Sequence, residues 1–462
     1  MRLFAAVCAV LLSGPAGNAQ SPLDEKPLAR EIFKQLIEIN TSNTQGETTP
    51  AAEAMAVRFR EAGYPDSDIQ VLGAAPQKMN VVVRLHGSGA ARPVLFVGHL
   101  DVVDAKREDW SVDPFEFMER GEYFYGRGAL DMKSGDAILV ATFIRLKQEG
   151  FQPARDMILA LTADEEGGLG NGVEWLVRNR RDLIDAEFCV NSDGGGGSIK
   201  NGKHLFMGVQ ETEKIFLTFR LEVTNTGGHS SLPRRDNAIY HLVDGLARLE
   251  KLEFPVHLFD VTRAQLERVA PLYPGQLGTD LATVVEHPYD TGALSRLSAI
   301  PLYNALLRST CVPTMLTAGH AENALPQSAT AVVNCRMLPV DRAVDVERKL
   351  IAVLADPAIK VITTTPARAS KYVPMNKKVM AAVSAAIMKY WPGLPVIPEM
   401  SAGASDGVYL NRAGIPTYGV SGIFGDEDDV RAHGRDERVL TASFYDAVDF
   451  IYDVAVSLGR NL

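Results

Sequence analysis

The chain has 462 residues, with 47 Lys and Arg against 57 Asp and Glu, and its formal net charge of −10 argues against a nucleic-acid or anionic-membrane surface as its partner. Hydrophobic residues make up 46%, enough for a sizeable buried core and too many for a disordered chain. The length allows two domains of ordinary size.

Residues 1–19 combine Arg2, an apolar run over 3–12 and the small residues Gly17-Asn18-Ala19. That is the pattern of a secretory signal peptide cut after Ala19. The run is too short for a permanent span, and no other stretch reaches ~18 apolar residues. The mature protein is therefore expected to be exported, periplasmic or secreted, and to stay off the membrane. Cys8 leaves with the signal, and Cys189, Cys311 and Cys335 remain. Export permits a Cys311–Cys335 bridge. The expectation is instead that all three are buried apolar fillers, and without a CxxC pair a thiolate zinc site is disfavoured.

Residues 27–63 read as helix, interrupted by a polar loop at 40–50. Residues 80–85 (NVVVRL), 93–97 (PVLFV), 156–162 (DMILALT) and 186–192 (AEFCVNS) are apolar, β-rich runs, with helical patterns at 134–149 and 171–179. Strands alternating with helices of this length predict an α/β fold with a mostly parallel sheet covered on both faces. Around Glu213 the texture changes. Residues 215–223 (IFLTFRLEV) and 329–336 (ATAVVNCR) alternate as half-exposed strands do, with helices at 236–251 and 344–354 and a strand at 360–364. Residues 255–315 show no clear pattern. Apolar segments resume at Met375 and end in a helix over 441–458. The predicted organisation is a catalytic domain over 20–212 and 367–462, with an inserted α+β lid or dimerisation domain over 213–366.

Five residues of metal-ligand type recur in order along the chain: His99, Asp131, Glu166, Asp193 and His433. His99, Glu166 and Asp193 fall just past the ends of predicted strands, where open α/β sheets carry their sites. Each alone has a bland reading as a surface His, a helix cap or an Asx turn. Together, two His and three carboxylates are the ligand set of a paired-metal hydrolytic site. Asp131 lies in a glycine-rich turn before a helix, where both of its oxygens can serve two cations. Asp101 sits two residues from His99 on an extended segment and points the same way. It is suited to steady the His99 ring or a neighbour. Asp164-Glu165-Glu166 stacks acids just after a buried strand, which is costly unless a cation offsets them. Adjacent side chains diverge, so Glu166 is read as a ligand and Glu165 as the general base. The four glycines at 194–197 suit close approach of backbone to a ligand.

The stretches GHLDVV, YGRGALDMKSG, LTADEEGG, NSDG and AHGRDE, with GGHSSLP, ENALPQSATAVVNCR and ASDGVYL, resemble the M20 metallopeptidases from about residue 23 to the end. These are the co-catalytic zinc enzymes that include aminoacylases, carboxypeptidases and dipeptidases. The resemblance implies that His99, Asp131 and Asp193 hold one Zn²⁺ and that Asp131, Glu166 and His433 hold another. Which of Asp193 and Glu166 goes with His99 stays open. Zn²⁺ suits mixed His and carboxylate ligation, with Co²⁺ or Mn²⁺ as substitutes. The resemblance also implies a cis peptide between Asp131 and Met132. It makes His229 the lid residue that stabilises the oxyanion, and Asn323 and Arg336 the substrate-binding pair. A homodimer through the lid would let His229 serve the partner subunit. Many relatives carry an Arg after the Ser-Asp pair, but here Ser405-Asp406-Gly407 leads to Val408. Either binding of a substrate carboxylate then falls to Arg336 and to backbone N–H groups at 401–404, Gly403 and Ala404 among them, or the carboxylate is not read tightly. The implied substrates are dipeptides, the C-terminal residue of short peptides, or N-acyl amino acids. The alternatives are a non-peptide amide or carbamate hydrolase on the same site, or a non-catalytic binding protein on a peptidase scaffold.

Overall fold

The computed structural model describes residues 25–167, 170–368 and 372–460. The signal segment read over 1–19 lies outside them. Among the described residues no helix is long and apolar enough to cross a membrane.

The strand Val94–His99 is buried along its whole length. It is flanked by Met157–Thr162 and Phe188–Asn191, both parallel to it. Such continuous apolar runs are what a sheet covered on both faces requires. The full order is Ile69–Ala75, Lys78–Leu85, Met157–Thr162, Val94–His99, Phe188–Asn191, Thr417–Gly419, Lys203–Glu213, Gly196–Lys200, Phe424–Asp426, with Val396–Ser401 also paired to Lys203–Glu213. The α/β reading is borne out, with a parallel centre and antiparallel neighbours on both sides. One antiparallel pair is a hairpin whose turn, Asn201-Gly202, has φ of 51° and 70°, the conformation that an Asn-Gly turn supplies. Helix Lys133–Gln148 is buried on nearly every side. It packs with Lys26–Glu38 and Thr441–Gly459 under one face of the sheet. The opposite face is covered by Gly172–Asn179 and Gly407–Arg412.

The chain leaves the main sheet at Glu213 and enters a second sheet at Ile215. The residue between them, Lys214, is buried, and its Nζ donates to the Arg308 carbonyl at 2.9 Å. The second sheet runs Thr310–Ala318, Ser328–Met337, Ile215–Thr224, Lys360–Thr365, antiparallel throughout. Its buried face packs on helices Ala238–Leu249 and Ala343–Leu354.

The patternless stretch is in fact mostly helical: Asp260–Val269, Gln276–Glu286, Thr291–Ser298 and Pro301–Leu307. These helices share a core with Phe206, Ile397 and Met400 of the main sheet. The cysteine expectation needs correction. Among the described residues Cys311 and Cys335 form a disulfide, and Cys189 is a buried free thiol. The pairing follows from register, which places Cys311 directly opposite Cys335.

Candidate active site

Gly98 allows the strand carrying His99 to end against the start of helix Lys133–Gln148. A Cβ at this position would collide with the Asp136 carboxylate and Met132. The peptide between Asp131 and Met132 is cis. The ring of His99 is buried; its Nδ1 meets the Asp101 backbone carbonyl at 3.0 Å, which leaves Nε2 3.1 Å from Asp131 Oδ1 and 3.9 Å from Asp193 Oδ1. On the other side, His433 Nε2 lies 3.0 Å from Asp131 Oδ2 and 2.7 Å from Glu166 Oε1. The two oxygens of Asp131 thus face two different histidines. His433 itself is held at φ 61°, an uncommon backbone state for a non-glycine residue and one that clusters at functional sites.

One donor atom each from His99, Asp131 and Asp193 lies within 4.8 Å of the others, and the same is true of Asp131, Glu166 and His433. A third such group joins His99, Glu165 and Glu166. The carboxylate of Asp101 does not reach the His99 ring at bonding distance. It accepts instead from the backbone N–H groups of Glu165 and Glu166, at 3.0 and 2.9 Å, and so fixes that turn. Asp164, the remaining acid of the run, is turned away and pairs with Lys78 at 3.0 Å.

The electrostatics are those of crowded acids. Burial raises the Glu165 carboxyl well above its usual range; the His99 charge opposes this, and Asp193, Asp406 and Glu166 add to it. Burial likewise raises Asp193, with Asp131 adding to the effect. For Asp131 burial acts upward, but the hydrogen bonds from His433 and His99 outweigh it and hold the carboxyl low. Hydrogen bonds to Asp131 and Glu166 lift His433 to about 10.

Several residues without an assigned role in the sequence reading support this centre. Glu437 is fully buried and accepts from the N–H groups of Gly128, Leu130 and Asp131 at 3.2, 2.7 and 3.0 Å, while pairing with Arg127. It therefore holds the turn that carries Asp131. Asp406 accepts from Thr162 Oγ1 at 2.7 Å and from Asn171 Nδ2 at 2.6 Å, tying the Ser-Asp segment to the strand end. The nearest sequence signals were the motifs AHGRDE and ASDGVYL, which mark the positions and not the bonds.

A cleft of about 580 Å³ lies above Asp131, Glu165, Glu166 and His433, within the range of small-ligand sites. Arg336, Gly403 and Ala404 line it as expected, and Lys214, Arg368 and Tyr409 line it unexpectedly. The Arg336 guanidinium lies 4.7 Å from the centre of the Phe216 ring, and that of Arg368 lies 4.8 Å from the centre of Tyr409. Burial lowers the Arg336 pKa, with the charges of Glu165, Glu213 and Glu166 opposing the shift. His229 and Asn323 do not line the cleft. They stand on an exposed part of the lid, in and beside the short ladder of Gly228–His229 with Ala324–Leu325. There His229 Nδ1 accepts from the Ser231 N–H at 3.2 Å, and the Asn323 carbonyl accepts from the Ser230 N–H at 3.0 Å.

The family model "Peptidase family M20/M25/M40" matches residues 95–457. The chain belongs to this family. It is accordingly a hydrolase of the metallopeptidase/amidohydrolase type. It is 26% identical over 452 residues to the N-fatty-acyl-amino acid synthase/hydrolase PM20D1 of Mus musculus, covering 93% of this chain and 88% of the relative. Among solved structures, the M20 family metallo-carboxypeptidase Sso-CP2 from Sulfolobus solfataricus superposes with a TM-score of 0.71 at 17% identity, over 94% of this chain and 99% of that one. The YXEP protein of Bacillus subtilis, a dinuclear metal binding peptidase from the M20 family, has a TM-score of 0.56 at 13% identity, over 95% and 99% of the two chains.

Proposed function

We propose that this protein is an exported hydrolase that uses a pair of Zn²⁺ ions to cleave the amide bond of an N-acyl amino acid, a dipeptide or the C-terminal residue of a short peptide. The observation that carries the reading is the division of Asp131: one oxygen meets His99 and the other His433, at the floor of a cleft with two guanidinium groups in its walls.

In this reading His99, Asp131 and Asp193 hold one ion, and Asp131, Glu166 and His433 the other. The donor set fits such a pair, because divalent cations offset the repulsion that otherwise burdens the buried Asp193 and Glu165. When bound, the ions polarise a carbonyl and acidify water. Mixed His and carboxylate donors favour Zn²⁺, with Co²⁺ or Mn²⁺ as substitutes. Glu165 takes the proton from the attacking water and passes it to the leaving amine as the C–N bond breaks. Asp101 keeps Glu165 in place through the backbone of its turn.

Arg336 and Arg368 bind the substrate carboxylate, with the backbone at Gly403 and Ala404 beside them. Arg368 takes over from the arginine missing at Val408: its guanidinium rests on Tyr409, the next residue. The class of substrate named for the mouse relative, an N-fatty-acyl amino acid, offers the carboxylate that this cleft suits. His229 and Asn323 act in a second copy of the chain. The exposed apolar edge strand Thr310–Ala318, with Val312, Met315 and Leu316 in solvent, supports a homodimer through the lid. The Cys311–Cys335 disulfide supports export to an oxidising compartment.

The test is hydrolysis by metal-stripped protein after reloading with Zn²⁺, across N-acyl amino acids and free and C-amidated dipeptides. Activity that returns with Zn²⁺ and needs the free carboxylate is expected. Zinc-dependent activity indifferent to the carboxylate would remove Arg336 and Arg368 from their role, and no activity on any substrate would overturn the reading.

A further inference from the structure

A second cavity, of about 490 Å³, shares Asp131 and Asp193 with the substrate cleft. Its character is different. Leu130, Met132, Phe206, Leu302, Ile423 and Val430 line it, and the backbone of residues 194–197 contributes wall without side chains. Leu302 and Val430 are large apolar residues left 54% and 77% exposed. Single exposed apolar residues are ordinary, but these two border the same cavity. Leu302 comes from helix Pro301–Leu307, part of the helical stretch inserted between the lid strands.

The acids around this cavity are largely occupied. Glu427 accepts from the hydroxyls of Ser198 and Tyr273. Asp429 pairs with Arg431 at 2.6 Å and Arg438 at 2.7 Å. Asp426 accepts from the Asp428 N–H at 2.9 Å. Burial pushes the Glu399 carboxyl up to about 7, so much of it is uncharged at neutral pH. What remains for a ligand is a predominantly hydrocarbon surface.

An amide substrate extends in two directions from its scissile carbonyl. With its amino-acid carboxylate on Arg336 and Arg368 in the first cleft, the acyl group lies on the other side of the scissile carbonyl, and the second cavity borders the same two carboxylates, Asp131 and Asp193. We propose that the second cavity is the acyl subsite and that it takes the hydrocarbon chain of medium- and long-chain N-acyl amino acids, with Leu302 of the inserted helices forming part of its wall. The inference deepens the hydrolase reading and rests on it.

The test is the kcat/KM of the Zn²⁺-loaded protein on N-acetyl, N-octanoyl and N-palmitoyl derivatives of one amino acid, for wild type, Leu302→Asp and Leu302→Met. Binding of dansylundecanoic acid by the metal-free protein provides a readout independent of turnover. Burying one methylene is worth about a fourfold gain, so octanoyl substrates should exceed acetyl by at least ~100-fold. Leu302→Asp should cut the octanoyl-to-acetyl ratio by about tenfold or more and weaken the dansyl probe, and Leu302→Met should restore both. Turnover of acetyl substrates with a flat chain-length profile would overturn the acyl subsite alone. Failure to hydrolyse any of the three substrates would overturn the hydrolase reading and this inference with it.

Discussion

Replacing Glu437 with alanine removes the acceptor on which the Asp131 turn is built. Three backbone N–H groups and the Arg127 guanidinium converge on this carboxylate; Glu437 is 0% exposed and Arg127 3%. Burial raises the Glu437 pKa even with Arg127 beside it, so the attraction does not fully offset the cost of taking the charge out of water. Breaking such a pair by deleting one partner costs about 3–5 kcal/mol, and each buried N–H left unpaired about 1–3 kcal/mol. The groups share one site, so the terms overlap and do not add. The expected loss is about 4–6 kcal/mol, a large part of the ~5–15 kcal/mol that holds a typical protein folded. Glu437→Gln keeps one acceptor oxygen and should lose about half as much. Guanidinium unfolding followed by circular dichroism measures both variants. Because the turn carries Asp131, zinc affinity of Glu437→Gln should also fall ~10–100-fold. An alanine variant within about 1 kcal/mol of wild type, with unchanged zinc affinity, would refute the argument that this carboxylate supports the site.

Glu165→Gln should match the wild-type metal content and lose ~10²–10⁴-fold in kcat; full activity in a well-folded variant would remove Glu165 as the base. His229→Ala should lower kcat with metal content intact, and mixing it with Glu165→Gln should recover part of the activity if the lid of one chain serves the cleft of another. No recovery from a verified mixed dimer would contradict that arrangement. Burial lowers the Lys214 pKa from 10.5 to about 7. Between those values the unfolded chain keeps a proton that the folded chain has released, so this residue makes stability rise with pH across that window. Lys214→Met should therefore remove part of the rise between pH 7.5 and ~10 in chemical unfolding, and an identical pH dependence in both proteins would refute a depressed lysine.

The residues that converge at this centre were legible in the sequence because each is tied to a local pattern. His99 ends an uninterrupted apolar strand, and Asp193 follows another, so strand assignment and ligand assignment reinforced each other. The helices between 260 and 307 were invisible because they are short, seven to eleven residues each. Their apolar faces make sense only against Phe206, Ile397 and Met400, which are distant in sequence. The Cys311–Cys335 bond depends on strand register, which no local pattern encodes. Glu437 escaped for a similar reason: a carboxylate that accepts from backbone N–H groups some 300 residues away leaves no local trace. Arg368 gained its place through stacking on Tyr409, again a contact between remote segments.

Metal stoichiometry tests most directly whether Asp131 would serve two ions at once. After loading with excess zinc and dialysis against metal-free buffer, elemental analysis should give two equivalents per chain for wild type, one for His99→Ala or His433→Ala, and none tightly held for Asp131→Ala. A single equivalent in wild type, or two in Asp131→Ala, would contradict a shared Asp131.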